Sequence, residues 1–337
     1  MQSNILYPSN SSTKGELLLE VSLLRCLATV SVVIFHSMCF YGIWDPFFGN
    51  HAIPFIQSIA TWLNYINMPL FVFLSGYVFS YSFYKRNKEW NIVQLLKEKT
   101  LRLLVPFVVW GSLQCLLFPK FCRMSLFASF LHLWFLQMLF GIFVLVVLSK
   151  SLWQKKLFSY VLLLLFLLLE FLDLSNTVLS TFNIANSFKF FPMFLIGLIA
   201  YRDDWLTRYS ESKFRILLLL IMVLTAMILL IKSTNFTQIL FAIPSILILM
   251  SISKKYAPLL IQNRIWGGVK LVDKCSMGIY LIHHIIIWIV IIYTPVQIVA
   301  PRQPLMTIIL LFILSFCGAL LLTCFMKHYK ILKYLIG

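Results

Sequence analysis

Apolar residues fall along this chain in continuous runs about as long as a bilayer is thick, separated by short polar stretches. The runs do not alternate polar with apolar as barrel strands do, so helices are predicted, each needing roughly 20 residues to cross. Ten stretches qualify: 17–41, 66–84, 101–118, 133–149, 157–172, 189–201, 214–231, 236–250, 276–294 and 305–325. The segment from Ile53 to Ile66, with Pro54, Asn64 and nearby Pro69, is too polar for a span and is expected to be an interfacial or re-entrant piece ahead of the second helix. The predicted fold is an all-α polytopic membrane protein of about ten transmembrane helices, with one domain over 17–325 between end segments 1–16 and 326–337.

Composition agrees with that pattern. Hydrophobic residues make up 61% of the chain and mean hydropathy is +0.92, more apolar surface than one soluble core can hide. Residues Met1 to Glu16 lack the basic flank, short apolar core and cleavage site of a signal peptide, so the first helix is expected to be retained. Seven cysteines, an odd number without a C-x-x-C pair, suggest neither a disulfide framework nor a zinc site, and no metal site is expected.

The formal charge of +17 changes meaning once the loops are assigned to alternate sides. Of 28 Lys and Arg residues, Lys120, Arg123, Lys189, Lys232 and Arg302 fall on one side, Arg25 lies inside the first helix, and the remaining 22 fall on the other side. The positive-inside rule then places both termini, including the basic 326–337 tail, in the cytoplasm. The charge is a topology signal spread over short loops, so membrane lipids are the expected anionic partner and nucleic acid is not.

Two ionisable residues interrupt the apolar first helix, LLRCLATVSVVIFHSM: Arg25 and His36. Eleven helical steps leave them about 20° apart around the axis and about 16 Å apart along it, one face at two depths. Charge at such depth is costly and usually marks a functional interior. From spacing alone a second reading stands beside it, in which Arg25 snorkels to the headgroups and His36 bonds a neighbouring helix.

This stretch and its sequel resemble acyltransferase family 3, whose members carry Arg or Lys, ten residues, then His in their first helix. NMPLFVFLSGYVFS resembles the family's second helix with its Ser-Gly pair, here Ser75 and Gly76. KEKTLRLLVPFVVW resembles the basic entry to its third, with Lys99 where Arg is more usual in the R-x-x-R pattern ending at Arg102. HLWFLQMLF from His132, FFPMFLIGLIAY around Gly197 and SMGIYLIHHIII follow in family order. The resemblance covers roughly 17–325. With the chain ending soon after the last helix, the extra esterase-like domain of some members is not expected.

The resemblance implies a membrane O-acyltransferase, with acetyl-CoA as a donor rather than a permanently bound cofactor, and a cell-surface polysaccharide or its lipid-linked precursor as acceptor. His36 is the candidate base, since an imidazole titrates near working pH. Arg25, assigned to the catalytic face too, is expected to hold the donor's anionic groups with Lys99 and Arg102. His132, Asp45 and His283 are candidate acceptor contacts, His283 being the inward member of the pair His283 and His284, which fall on different faces. Glu170 and Asp173 are further outer carboxylates. Ser75 is read as a helix-contact residue and not a nucleophile. The implied place is a bacterial cytoplasmic membrane. A secondary transporter or flippase is the alternative, with Arg25 and His36 marking a permeation path.

Overall fold

The computed structural model describes residues 18–49, 51–84, 91–121, 131–169, 178–205, 212–231 and 234–337, and all regular structure among them is helical. Segment 1–16, Glu170, Asp173 and the cations Lys14, Lys85, Arg86, Lys88, Arg123, Arg208 and Lys232 lie outside the described residues. Helices occupy each of the ten apolar stretches. They are α1 (Leu19–Met38), α2 (Pro54–Tyr84), α3 (Ile92–Leu117), α4 (Trp134–Leu148), α5 (Lys156–Leu169), α6 (Ile184–Arg202), α7 (Ser212–Ile231), α8 (Asn235–Leu260), α9 (Ile265–Tyr293) and α10 (Pro304–His328). Seven helices are long and apolar enough to cross a membrane; α4, α5 and α7 are apolar but offer shorter runs. The protein is therefore a multi-pass membrane protein.

One expectation is corrected. The polar segment 53–66 is no separate piece, because α2 runs unbroken for 31 residues through Pro69. Its polar side chains are compatible with helix since they satisfy themselves locally: Ser58 donates to the Pro54 carbonyl and Thr61 to that of Gln57, each at 2.8 Å. Pro69 removes one backbone donor but sits in the buried half, where neighbouring helices hold α2 in place.

Helix α1 lies at the centre, packed by α2, α8, α9 and α10. The most extensive contact is between α2 and α6, and two glycines permit it. A methyl group on Gly76 would run into the Phe194 carbonyl oxygen, and one on Gly197 into that of Phe73. With no Cβ at the crossing the backbones meet, and Ser80 donates to the Leu198 carbonyl at 2.9 Å. At the end of α6, Arg202 makes a two-pronged pair with Asp203 (2.9 and 3.0 Å) and reaches the Trp153 carbonyl and Ser159, tying α6 to α5.

Helix α3 begins under a side-chain cap from Asn91, contains a π-helical turn over Thr100–Leu104, and continues from Val105. After α10 a short helix, α11 (Lys330–Tyr334), folds back so that Trp110 of α3 donates to the Leu335 carbonyl at 2.7 Å. Cys115 is disulfide-bonded, a single bridge and not a framework. Cys26, Cys39, Cys275, Cys317 and Cys324 are free.

Candidate functional site

Four histidines from three parts of the chain meet in the interior. His36 lies near the end of α1, His283 and His284 follow each other on α9, and His132 is held by the tight turn Leu131–Leu133 just before α4. All four are buried, none more than 6% exposed. The His36 ring centroid lies 4.9 Å from that of His283, 5.2 Å from His284 and 6.0 Å from His132. His132 and His284 stack at 4.3 Å. Trp44 and Trp288 close the far side, at 5.1 and 5.3 Å from His284. The rings pack face and edge against one another, and among the described residues no three His, Cys, Asp or Glu side chains are arranged to hold a metal ion.

Hydrogen bonds orient this cluster unevenly. His36 Nδ1 lies 3.0 Å from the Val32 carbonyl and 3.1 Å from His283 Nε2, and His283 Nδ1 lies 2.8 Å from the Ile279 carbonyl. By contrast both ring nitrogens of His132 and Nδ1 of His284 are buried without a hydrogen bond. Unpaired buried polar atoms are costly and rare, so their gathering around one imidazole marks a place suited to a polar occupant.

On the other side lies a cavity of about 540 Å³. Its mouth carries the cations Arg25, Lys99, Arg102 and Lys274 with the carboxylates Glu98 and Asp273, and its inner wall is formed by Met68, Phe71, Ser75, Phe135 and Tyr280. Arg25 pairs with Asp273 at 2.7 Å, and Ser22 donates to the second oxygen of the same carboxylate at 2.8 Å. The ammonium of Lys99 stands 3.9 Å from the Phe143 ring centroid. Tyr280 touches both regions: it lines the cavity, its hydroxyl donates to the His132 carbonyl, and its ring lies 5.2 Å from that of His132. His36 itself does not line the cavity.

The structure thus brings the sequence candidates together in two groups. Arg25, Lys99 and Arg102 share the cavity; His36, His132 and His283 share the imidazole cluster. Asp45 joins neither, because its carboxylate accepts from the His51 backbone at 3.0 Å and closes the loop after α1. Ser75 lines the cavity with its hydroxyl donating to the Phe71 carbonyl. His284 is a correction: adjacent residues on a helix face different ways, yet both histidines are inside, since every residue from Gly278 to Ile285 is buried and α9 is enclosed all round over that stretch. Sequence reasoning also missed Asp273, Tyr280 and Trp44. A carboxylate in the apolar approach to SMGIYLIHH was the available signal for the first; the two aromatics carried none.

A family model described as an acyltransferase domain matches residues 18–324. No curated protein and no solved structure matches the chain.

Proposed function

The chain belongs to the acyltransferase family whose domain it matches over nearly its whole length, and on that premise, which makes it a membrane acyltransferase, we propose that it is an O-acetyltransferase. It takes an acetyl group from cytoplasmic acetyl-CoA and places it on a hydroxyl of a cell-surface polysaccharide or its lipid-linked precursor. We place it in a bacterial cytoplasmic membrane with both termini inside, and read α4, α5 and α7 as three further crossings, ten in all.

One observation carries the reading: a cavity with a cationic mouth reaches inward to Tyr280, and Tyr280 stands against the imidazole cluster. An acyl thioester of a nucleotide carrier has that polarity, with phosphates at one end and the reacting carbonyl at the other. Arg25, Arg102 and Lys99 hold the anionic end. His36 takes the proton from the accepting hydroxyl as its oxygen attacks the thioester carbon. The C–O bond forms, the C–S bond breaks, and the proton passes from His36 to the departing thiolate, leaving ester and free thiol. The nitrogen available for this is Nε2, the one that makes no hydrogen bond among the described residues. The orphaned nitrogens of His132 and His284 belong to the same cluster and provide partners for the acceptor's hydroxyls.

The test is transfer of labelled acetyl from acetyl-CoA to a membrane glycolipid extract by purified protein, with His36→Ala beside it at matched amount. Label should reach the glycan with the native chain and fall by at least 100-fold with the variant, the scale of a lost general base. Equal transfer by both removes His36 from the mechanism, and movement of intact glycan without acylation points to a transporter.

A further inference from the structure

Proton positions in the imidazole cluster follow from the chemistry of its acceptors. The Ile279 carbonyl, 2.8 Å from His283 Nδ1, can only accept, so that nitrogen carries the proton. A neutral imidazole then has a lone pair on its other nitrogen, and His283 Nε2 is an acceptor. His36 Nδ1 faces this acceptor at 3.1 Å and a second one, the Val32 carbonyl, at 3.0 Å. With acceptors on both sides, Nδ1 of His36 is a donor shared between them. Its lone pair is therefore on Nε2. The opposite assignment, a proton on His283 Nε2 donated to His36 Nδ1, sets two lone pairs against each other at the Val32 carbonyl and charges a ring with no counter-ion beside it.

We infer that His283 is a positioning residue: it takes the Nδ1 proton of His36 in a hydrogen bond that holds His36 in the Nδ1–H tautomer, aims Nε2 at the accepting hydroxyl and strengthens when His36 becomes an imidazolium. This rests on His36 being the base. It removes His283 from the acceptor contacts, because its polar edge is already committed at both nitrogens. His283 serves His36 as a carboxylate serves the histidine of a hydrolytic triad, but without charge, which suits a ring that is fully buried. The Val32 carbonyl lies on the same helix as His36 and moves with it. Among the described residues, the hydrogen bond to His283 is the one that ties the His36 ring to a different helix, α9, and so relates its orientation to the elements that line the cavity.

The experiment compares His283→Phe, which keeps an aromatic ring and removes the acceptor, with His283→Gln, whose side-chain oxygen restores one. Protein is reconstituted in nanodiscs and assayed for acetyl transfer from acetyl-CoA, with His36→Ala as reference. His283→Phe should lower kcat by about 10- to 100-fold, the range of a hydrogen bond to a developing charge, with KM for the donor within about twofold of native. His283→Gln should recover at least half of that loss on a logarithmic scale. Nitrogen-15 spectra of histidine-labelled native protein, with the His36 signals identified by subtraction against His36→Gln, should show Nδ1 protonated and Nε2 bare.

A KM effect without a kcat effect, a glutamine variant as poor as the phenylalanine one, or a His36 found protonated on Nε2 overturns the inference. If His283→Phe does not yield monodisperse protein, His283→Met against His283→Gln makes the same comparison. Native-like turnover in His283→Phe with none in His36→Ala rejects this inference and leaves the proposed function standing; full activity in His36→Ala removes His36 from the mechanism and this inference with it, and absence of acetyl transfer by the native protein rejects the proposed function.

Discussion

The pair formed by Arg25 and Asp273 separates the structural part of Arg25 from its part in donor binding. Arg25→Met leaves the Asp273 carboxylate, only 10% exposed, without its cation. Stranding one member of a buried pair costs about 3–5 kcal/mol, but here Ser22 still donates to the carboxylate and the Arg25 side chain is a third exposed, so the loss is discounted to about 2 kcal/mol. At roughly 2 °C per kcal/mol for a chain of this size, the apparent melting temperature in detergent should fall by about 4 °C. Adding Asp273→Asn removes the stranded charge and should return at least half of that. Activity should behave differently. Both the single and the double variant lack the guanidinium at the cavity mouth, so kcat/KM for acetyl-CoA should stay low, about 10-fold or more below native, in each. The assay is the transfer reaction beside thermal unfolding followed by tryptophan fluorescence. A double variant with native kcat/KM would show that Arg25 serves only to neutralise Asp273, and an unchanged melting temperature in Arg25→Met would show that the pair contributes nothing to the fold.

Other outcomes follow from the same structure. Gly76→Ala and Gly197→Ala should each destabilise the protein by at least about 2 kcal/mol, because the added methyl meets backbone that cannot yield, whereas Gly267→Ala and Gly268→Ala, with nothing within 4 Å, should be neutral or slightly stabilising in thermal unfolding. Tyr280→Phe removes the bond to the His132 carbonyl and should reduce turnover by about fivefold, the worth of one ordinary hydrogen bond, while donor KM stays near native; a change in KM alone would count against the Tyr280 hydroxyl acting through His132. KM for acetyl-CoA should rise several-fold from low to high salt, since the cations at the cavity mouth act over distances that ions screen, and KM for an uncharged acceptor should not move.

Much of the architecture was open to inspection in the chain itself, because the solvent imposes it. Lipid admits only backbones that satisfy their own hydrogen bonds, so a run of apolar residues such as PLMTIILLFILSFCGALLLTCF has one form available, and helices lie at all ten predicted stretches. Arg25 and His36 stood out for the same reason, as groups that hydrocarbon does not tolerate. Asn64 and Pro69 misled the reading of α2, since hydroxyls bonding back to their own helix and support from neighbouring helices are invisible in a hydropathy pattern.

The site was legible only as separate pieces. Nothing in the spacing of His36, His132, His283 and His284 says that three distant segments converge into ring contact, and helical angles argued against His283 and His284 sharing an interior. Their convergence depends on α9 being enclosed all round between Gly278 and Ile285 and on α1 sitting at the centre of the bundle. The pairing of Arg25 with Asp273, some 250 residues away, and the tautomer of His36 have the same origin. Transfer into the membrane is decided residue by residue and is written locally in the sequence; which polar groups then meet is decided by helix packing, a property of the assembled bundle alone.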